Sequence, residues 1–494
     1  MTRQTRIVLL GLIVVMLAAS SMCSIPMDRL KYAPGAPFRS TDVLTDKDTR
    51  KTNLLFDMSL QFMGAAAMGM REAVASVLWA RADEFFHSGE YEAILPIVRV
   101  VTWLDPHQLD VYSTGAWHLD YNFVDQEQRS DRRYIPPAIA LLREGISNNP
   151  DVYDLYFELG WMHYQQKMKD YRGAAKWLEE AAKRNTCDPN TGAKLPRPAF
   201  VDRMVAHAYE RIGDIGRAEA KWRETLGVAE ANARKKKNDY TIQEDIDICK
   251  RNLGLMLLRD AWRTGDMSAY KRGLDVFESV KQPDKNEARA VAGAKKYYAQ
   301  LVASGKTKID TMPPVDAKFN VTWKKLKPGV LLISGTANIV PAEEYNGLAS
   351  EPFTHWYQTN QSFPLERRAK WQSGARLRIL LSDMDYDYFH MKGLDSFNWE
   401  VDKKQTVMMD DTGIRDGKFS ITINMSLDPD KYPFTKDKYR LSIWMNPQEA
   451  PDFIQDRIGW LGEGLTDKHC LDTKTIPGVR ILRKDFILKK SDIL

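Results

Sequence analysis

The chain has 494 residues, too many for one ordinary hydrophobic core and enough for two or three domains. Hydrophobic residues make up 44% and charged residues 28%, with 13 Trp and 20 Tyr, a composition that excludes disorder as the dominant state. The formal net charge of +5, from 71 basic against 66 acidic residues, excludes the broad basic surface of a nucleic-acid binder, and the one dense basic run, Arg234 to Lys237, reads as a solvated helix end.

At the N-terminus, Arg3 and Arg6 precede an apolar run from Ile7 to Ala19, extended by Ser20, Ser21, Met22 and Cys23. Basic residues ahead of an apolar run form an export signal, so residues 1–23 are expected to be a signal peptide or a membrane anchor. Three fates are open: retention as a single-pass anchor, cleavage, or lipid attachment at Cys23. All three would put the bulk of the chain outside the cytoplasm. Residues 24–53, with Pro26, Pro34, Gly35 and Pro37, read as a spacer. The four cysteines, Cys23, Cys187, Cys249 and Cys470, lack the paired spacing of a zinc site or a redox dithiol.

From residue 54 to 305 apolar residues recur at helical spacing between short turns built on Gly, Asp, Asn or Pro. The stretches come in pairs with a period of about 34 residues. The best pair runs from Pro198 to Ala231, with Ala206, Tyr209, Gly213, Ala218 and Trp222 at small, large, turn, small and large positions. A second holds Leu159, Gly160, Tyr164, Tyr171, Ala174, Leu178 and Ala181. A third carries Gly89, Tyr91, Val98, Val101 and Pro106, and Val111–Phe123 with Ile135–Ser147 forms a fourth. Small residues let two antiparallel helices approach, and aromatics fill the groove between neighbouring hairpins.

This array resembles tetratricopeptide repeat proteins, in particular bacterial membrane-anchored members, over about half the chain. The resemblance implies a superhelix whose concave face receives peptides or protein segments, as in scaffolds of larger assemblies. Residues 241–304 continue as helices with a fading repeat pattern, expected to cap the solenoid. Residues 306–316, with Pro313 and Pro314, read as a linker.

Over residues 317–494 the periodicity changes to alternation. FNVTWKKL, GVLLISGTANIV, ARLRILLS, KFSITINMS, KYRLSIWMN and VRILRKDFIL read as strands, about seven in all, and the expected fold is an antiparallel β-sandwich, loosely immunoglobulin-like in pattern. The fold class is therefore α then β: a helical solenoid followed by a β-sandwich. The stretches 340–373 and 447–475 read as long loops or small helices.

No nucleophile elbow, phosphate loop, metal-spaced histidine pair or dinucleotide turn occurs, so the chain reads as non-enzymatic, with no cofactor implied. Asp383, Asp385 and Asp387 alternate as calcium ligands do, but Tyr388 and Leu394 stand where an EF-hand needs Gly and Glu, so a strand end in water is the plainer reading. Glu343, Glu344 and Glu351 beside Trp356 and Tyr357 could serve a glycan site. On the helices, Asp154, Phe157 and Trp161 form one stripe and Arg203, His207 and Arg211 another. These six are the candidate groove residues, an aromatic anchor beside cations suited to acidic or carboxylate-ended segments, with inter-repeat packing as the competing role of Phe157 and Trp161. The resulting expectation is a protein-binding scaffold at the outer face of a bacterial cytoplasmic membrane. The alternative is a cell-envelope polysaccharide-binding or polysaccharide-processing protein acting through the β part.

Overall fold

The computed structural model describes residues 69–88, 94–122, 131–187, 194–235, 240–283, 285–309, 314–339, 376–391, 394–395, 401–414, 417–427, 431–450, 454–455 and 458–494. The helical part opens with α1 (Arg71–Ser88) and α2 (Ile94–Leu104). Next come α3 (Leu109–Trp117, continued by the π turn His118–Asn122), α4 (Ile135–Asn148) and α5 (Asp154–Glu158, continued by the π-helical Leu159–Met168). It runs on through α6 (Tyr171–Ala182), α7 (Ala199–Arg211), α8 (Ile215–Lys235), α9 (Tyr240–Thr264), α10 (Met267–Glu278) and α11 (Lys285–Ala303). From α5 onward each helix packs against the next in sequence, the arrangement of stacked tetratricopeptide-like hairpins.

Local chemistry sets these boundaries. Alpha5 ends at Lys169, left-handed at φ 58°, and α6 begins at once because the Asp170 carboxylate accepts from the Gly173 N–H at 2.9 Å. Alpha6 then buries Tyr171, Ala174, Ala175, Leu178 and Ala181, a single face at helical spacing. Gly213, at φ 75°, closes α7, and Asp214 accepts from the Arg217 N–H at the head of α8. Ala206, Ala218 and Trp222 are fully buried between these helices, as their small and large sizes suggest. The hairpin of α9 and α10, where the repeat pattern fades in sequence, closes on two glycines: a Cβ on Gly273 would lie 3.0 Å from the Gly254 carbonyl oxygen.

The β part holds two antiparallel sheets. The three-stranded one has the order β3 (Asn320–Lys327), β4 (Val330–Thr336), β7 (Lys418–Asn424). The five-stranded one has the order β6 (Val407–Gly413), β5 (Arg376–Asp383), β8 (Lys438–Met445), β10 (Ile481–Lys489), β9 (Leu471–Asp472). Leu331, Ile333, Phe419 and Ile423 of the first share one core with Ile379, Leu381, Leu441 and Ile443 of the second. The small pair β1 (Thr186–Cys187) and β2 (Lys194–Leu195) belongs to the helical part, and α12 (Lys490–Ile493) ends the chain. Beta6 and β9 escape the sequence reading. Val407 to Asp410 are all buried, because one face meets the shared core and the other meets Leu380, Tyr386 and Trp444, so alternation vanishes. Among the described residues between Pro447 and Thr475 lie a 3-10 turn, Pro447–Glu449, several further turns and the short β9, where the sequence reads as long loops or small helices.

The helical and β parts are joined by arginine. Arg132 Nε donates to Tyr386 Oη at 2.9 Å, Arg143 Nη1 to the Leu394 carbonyl at 2.8 Å, and Arg172 Nη2 to the Pro477 carbonyl at 2.9 Å. Arg211 Nη1 donates to the Gln448 carbonyl at 3.0 Å and Arg263 Nη1 to Glu463 at 2.9 Å. Apolar contacts follow the same seam: Trp460 joins the core of α7 to α9, and Leu394 joins that of the earlier helices. Of the expected linker, Ile309 N–H donates to the Gly265 carbonyl at 3.1 Å and Val315 N–H to the Gly464 carbonyl at 2.8 Å, so its described ends are pinned.

One expectation is corrected. The chain was read as a single-pass protein of the bacterial cytoplasmic membrane with its bulk extracytoplasmic. Among the described residues no helix is long and apolar enough to cross a membrane. The apolar segment Ile7–Ala19, on which that reading rested, lies outside the described residues, as do the spacer, Gly89, Tyr91 and the Glu343, Glu344, Glu351, Trp356 and Tyr357 group.

Candidate functional site

A pocket of about 170 Å³ opens where the helices meet the β part. Two of its walls are helical. Alpha7 contributes His207, Glu210 and Arg211, which share one face by their spacing of three and four. Alpha9 contributes Asn252, Met256 and Arg259. The third wall comes from the β part, through Gln455 and the Trp460 indole.

The pocket's polar groups are not equivalent. Glu210 is engaged on both oxygens: Oε1 accepts from Trp222 Nε1 at 2.5 Å, and Oε2 faces His207 Nδ1 at 3.4 Å. His207 stands edge-on to Trp222, ring centres 4.9 Å apart. Arg211 uses Nη1 on a neutral backbone carbonyl. Burial pushes the Lys169 ammonium below its usual range, and the cations Arg378, Arg211 and Lys167 add to that shift against the pull of Glu449.

Of the six candidate groove residues, His207 and Arg211 line this pocket. Arg203 is spent on an ion pair with Asp245 of α9 at 2.5 Å. Phe157 and Trp161 stack on each other, ring centres 6.5 Å apart, and Phe157 meets Phe200 edge-on at 5.1 Å. Both pack against the core of α6 to α9, the inter-repeat role. Asp154 accepts from Thr186 Oγ1 at 3.5 Å, and burial raises its carboxyl above the usual range. Burial, reinforced by the charge of Asp154, pushes the neighbouring Tyr153 phenol up to about 12.

The aspartates at the end of β5 do different work from one another. Asp383 is buried, and its carboxyl is raised by that burial. Asp385 is exposed. Asp387 Oδ1 accepts from the N–H groups of Phe389 and His390 at 3.0 and 3.3 Å, bracing a turn. Among the described residues no group of three or more His, Cys, Asp or Glu could hold a metal ion. Cys249 and Cys470 are buried free thiols.

Asn252, Arg259, Gln455 and Trp460 were missed by the sequence reading. The first two lie in a helix without a clear repeat pattern, and the last two in a segment read only as loop. Trp460 within a turn-rich stretch was the one available signal, since a large aromatic in a loop needs a partner surface.

No protein-family model matches the sequence, and no curated protein matches it. Among solved structures, the chain is similar to the MamA protein at 14% identity, over 41% of this chain and 92% of that one, with a TM-score of 0.27. It is similar to PilF of Pseudomonas aeruginosa at 14% identity, over 48% and 89%, with a TM-score of 0.26. It is also similar to PilW, described as a widely conserved type IV pilus biogenesis factor, at 16% identity, over 47% and 94%, with a TM-score of 0.23. The helices form tetratricopeptide-like hairpins through sequential packing and buried small residues such as Ala206 and Ala218.

Proposed function

We propose that this chain is a non-enzymatic protein-binding scaffold whose helical hairpins, layered beside a β-sandwich, receive a segment of a partner protein. One observation carries the reading. Alpha7 and α9, the first helices of successive hairpins, contact each other and present His207, Arg211, Asn252 and Met256 to one pocket, which the β part closes without filling. Stacked hairpins build a partner-binding surface from their first helices in this way, by neighbour contacts alone. The domain division at residues 54–305, 306–316 and 317–494 belongs to the same proposal.

Crosslinked affinity capture with the tagged full chain tests it, comparing the wild type with an Arg211→Glu, Asn252→Ala double variant whose fold is checked by circular dichroism. Partner proteins captured by the wild type and lost from the folded double variant support the groove as the binding surface. An identical set from both chains rejects the groove, and recovery of glycans in place of proteins from the wild type rejects the scaffold.

A further inference from the structure

We infer that one end of the β part, where β3, β7, β10 and α12 finish, is a docking surface for an anionic lipid bilayer, bound peripherally by aliphatic side chains that enter the interface and lysines that meet the headgroups. This surface lies apart from the hairpin pocket and is independent of the proposed scaffold function. Among the described residues of the β part, the large apolar side chains that stand exposed are Leu326, Leu427, Ile487 and Leu494, at 45% to 67%. Single exposed apolar residues are ordinary, but these four gather at one end. Gly329 N–H, in the β3–β4 turn, donates to the Ile493 carbonyl at 2.8 Å, and the Gly329 carbonyl accepts from Met425 N–H at 2.8 Å. Leu326, Leu427 and Leu494 each lie a short step along the chain from that junction. Ile487 stands just before the end of β10, where Asp492 of α12 accepts from the Lys489 N–H at 2.7 Å. The bonds that join the β part to the helices fall instead on residues such as Tyr386, Gln448 and Pro477.

The lysines decide what covers this face. Lys325 donates to the backbone oxygens of Ser491 and Leu494 at 3.1 and 2.6 Å, fastening α12 to the β3–β4 hairpin. Lys327, Lys438, Lys489 and Lys490 are exposed and, among the described residues, have no carboxylate partner. Of the nearby carboxylates, Asp485 is held by Arg483, Asp492 by the Lys489 N–H, and Asp437 stands exposed, while Asp428 and Asp430 lie outside the described residues. Lys438 and Lys489 oppose each other across the β8–β10 ladder, where like charges repel. An anionic surface relieves that repulsion. A second copy of the chain would bring lysine to lysine, and a polysaccharide offers no apolar phase to four aliphatic side chains. Protein interfaces are depleted in lysine. A bilayer takes in each aliphatic side chain singly, while flexible lysine stems lie along the apolar region and carry their ammonium groups to the phosphates. Such a contact needs no spanning segment.

Co-sedimentation of the full chain with vesicles of phosphatidylcholine mixed with phosphatidylglycerol, and with phosphatidylcholine alone, tests the surface. The wild type should bind the mixed vesicles, less tightly as salt rises, and a Lys327→Glu, Lys489→Glu double variant should bind roughly tenfold more weakly or worse. A Leu427→Ser, Ile487→Ser double variant should also lose affinity, and Lys327→Arg, Lys489→Arg should keep it. All four positions are exposed, so the variants should fold, which circular dichroism checks. Because the full chain carries the apolar run Ile7–Ala19, equal binding by wild type and every variant assigns lipid contact to that run and overturns the inference. No binding to the mixed vesicles, or equal binding to both kinds of vesicle at every salt concentration, overturns it even if a variant fails to fold. Self-association of the wild type in sedimentation velocity that the aliphatic variant abolishes, with vesicle binding unchanged, assigns the face to a second copy and also overturns it.

Discussion

Arg211 and Gln448 hold each other twice: the guanidinium Nη1 donates to the Gln448 carbonyl at 3.0 Å, and the Gln448 carboxamide Nε2 donates to the Arg211 carbonyl at 2.7 Å. The second bond satisfies one of the carbonyls that the last turn of α7 leaves without an intrahelical partner. Gln448 is 3% exposed and begins a turn fixed by its own N–H on Asn446 Oδ1 at 3.0 Å, so the carboxamide is held where the helix ends. Gln448→Ala removes the donor, leaves a largely desolvated carbonyl, and should lower stability by about 1–2 kcal/mol in urea unfolding. No change would mean that water replaces the carboxamide and that the pair does not fasten the two parts.

Arg132 is a charge in the seam between the helices and the outer face of the five-stranded sheet, 1% exposed. It meets the Tyr386 hydroxyl, the Tyr388 ring with its centre 4.2 Å away, and the sulfurs of Met391 and Met409. A guanidinium so placed depends on every acceptor it has. Tyr386→Phe should therefore cost about 2 kcal/mol, the range for a hydrogen bond to a charged group. In an Arg132→Met background the same change should cost under about 1 kcal/mol, since the charge it served is gone. Additive costs in this double-mutant cycle would show that Tyr386 stabilises the seam by packing alone.

How much of this was legible follows the range of each signal. The α7–α8 hairpin was readable because Ala206, Ala218 and Trp222 act within one period of each other, and the passage from helix to strand was readable because the change of period is local. The seam was not. Its arginines meet acceptors far along the chain, such as Arg172 with the Pro477 carbonyl, and a backbone carbonyl leaves no mark in the amino-acid code. Beta6 was hidden by burial on both faces. The π turns in α3 and α5 were hidden because widening a helix by one residue leaves its apolar spacing nearly intact. At the pocket, His207 and Arg211 were found by helical phase, whereas the wall from the β part required the tertiary structure.

Asp202 gives a pH test. Burial alone would raise its carboxyl, but hydrogen bonds from Arg197 and Lys221 outweigh burial and hold it below the usual carboxylate range. Its folded pKa is thus depressed relative to the unfolded chain. The stabilisation is complete above the unfolded value of about 4 and is lost as pH falls through the folded value. Asp202→Asn should therefore be less stable than the wild type at pH 6, and the gap should narrow steadily in unfolding curves taken from pH 5 to pH 3. A gap constant with pH would show that Asp202 acts as a neutral hydrogen-bond acceptor.

Two glycines on neighbouring hairpins should respond oppositely to the same substitution. Gly227 lies on the exposed side of α8 with nothing within 4 Å of an added Cβ, so Gly227→Ala gains helix propensity and should stabilise by about 0.5–1 kcal/mol. Gly273 lies where α10 crosses α9, and a Cβ there would sit 3.0 Å from the Gly254 carbonyl oxygen and 3.1 Å from the Leu258 nitrogen, both backbone atoms. Neither can turn aside as a side chain does, so the helices must separate. Overpacking of this kind costs about 1–3 kcal/mol, and Gly273→Ala should destabilise despite the propensity gain. Thermal melting of the two variants side by side checks both signs. If Gly273→Ala also stabilises, the α9–α10 crossing is looser than the geometry describes, and the close packing that extends the hairpin stack past α8 is not held by its glycines.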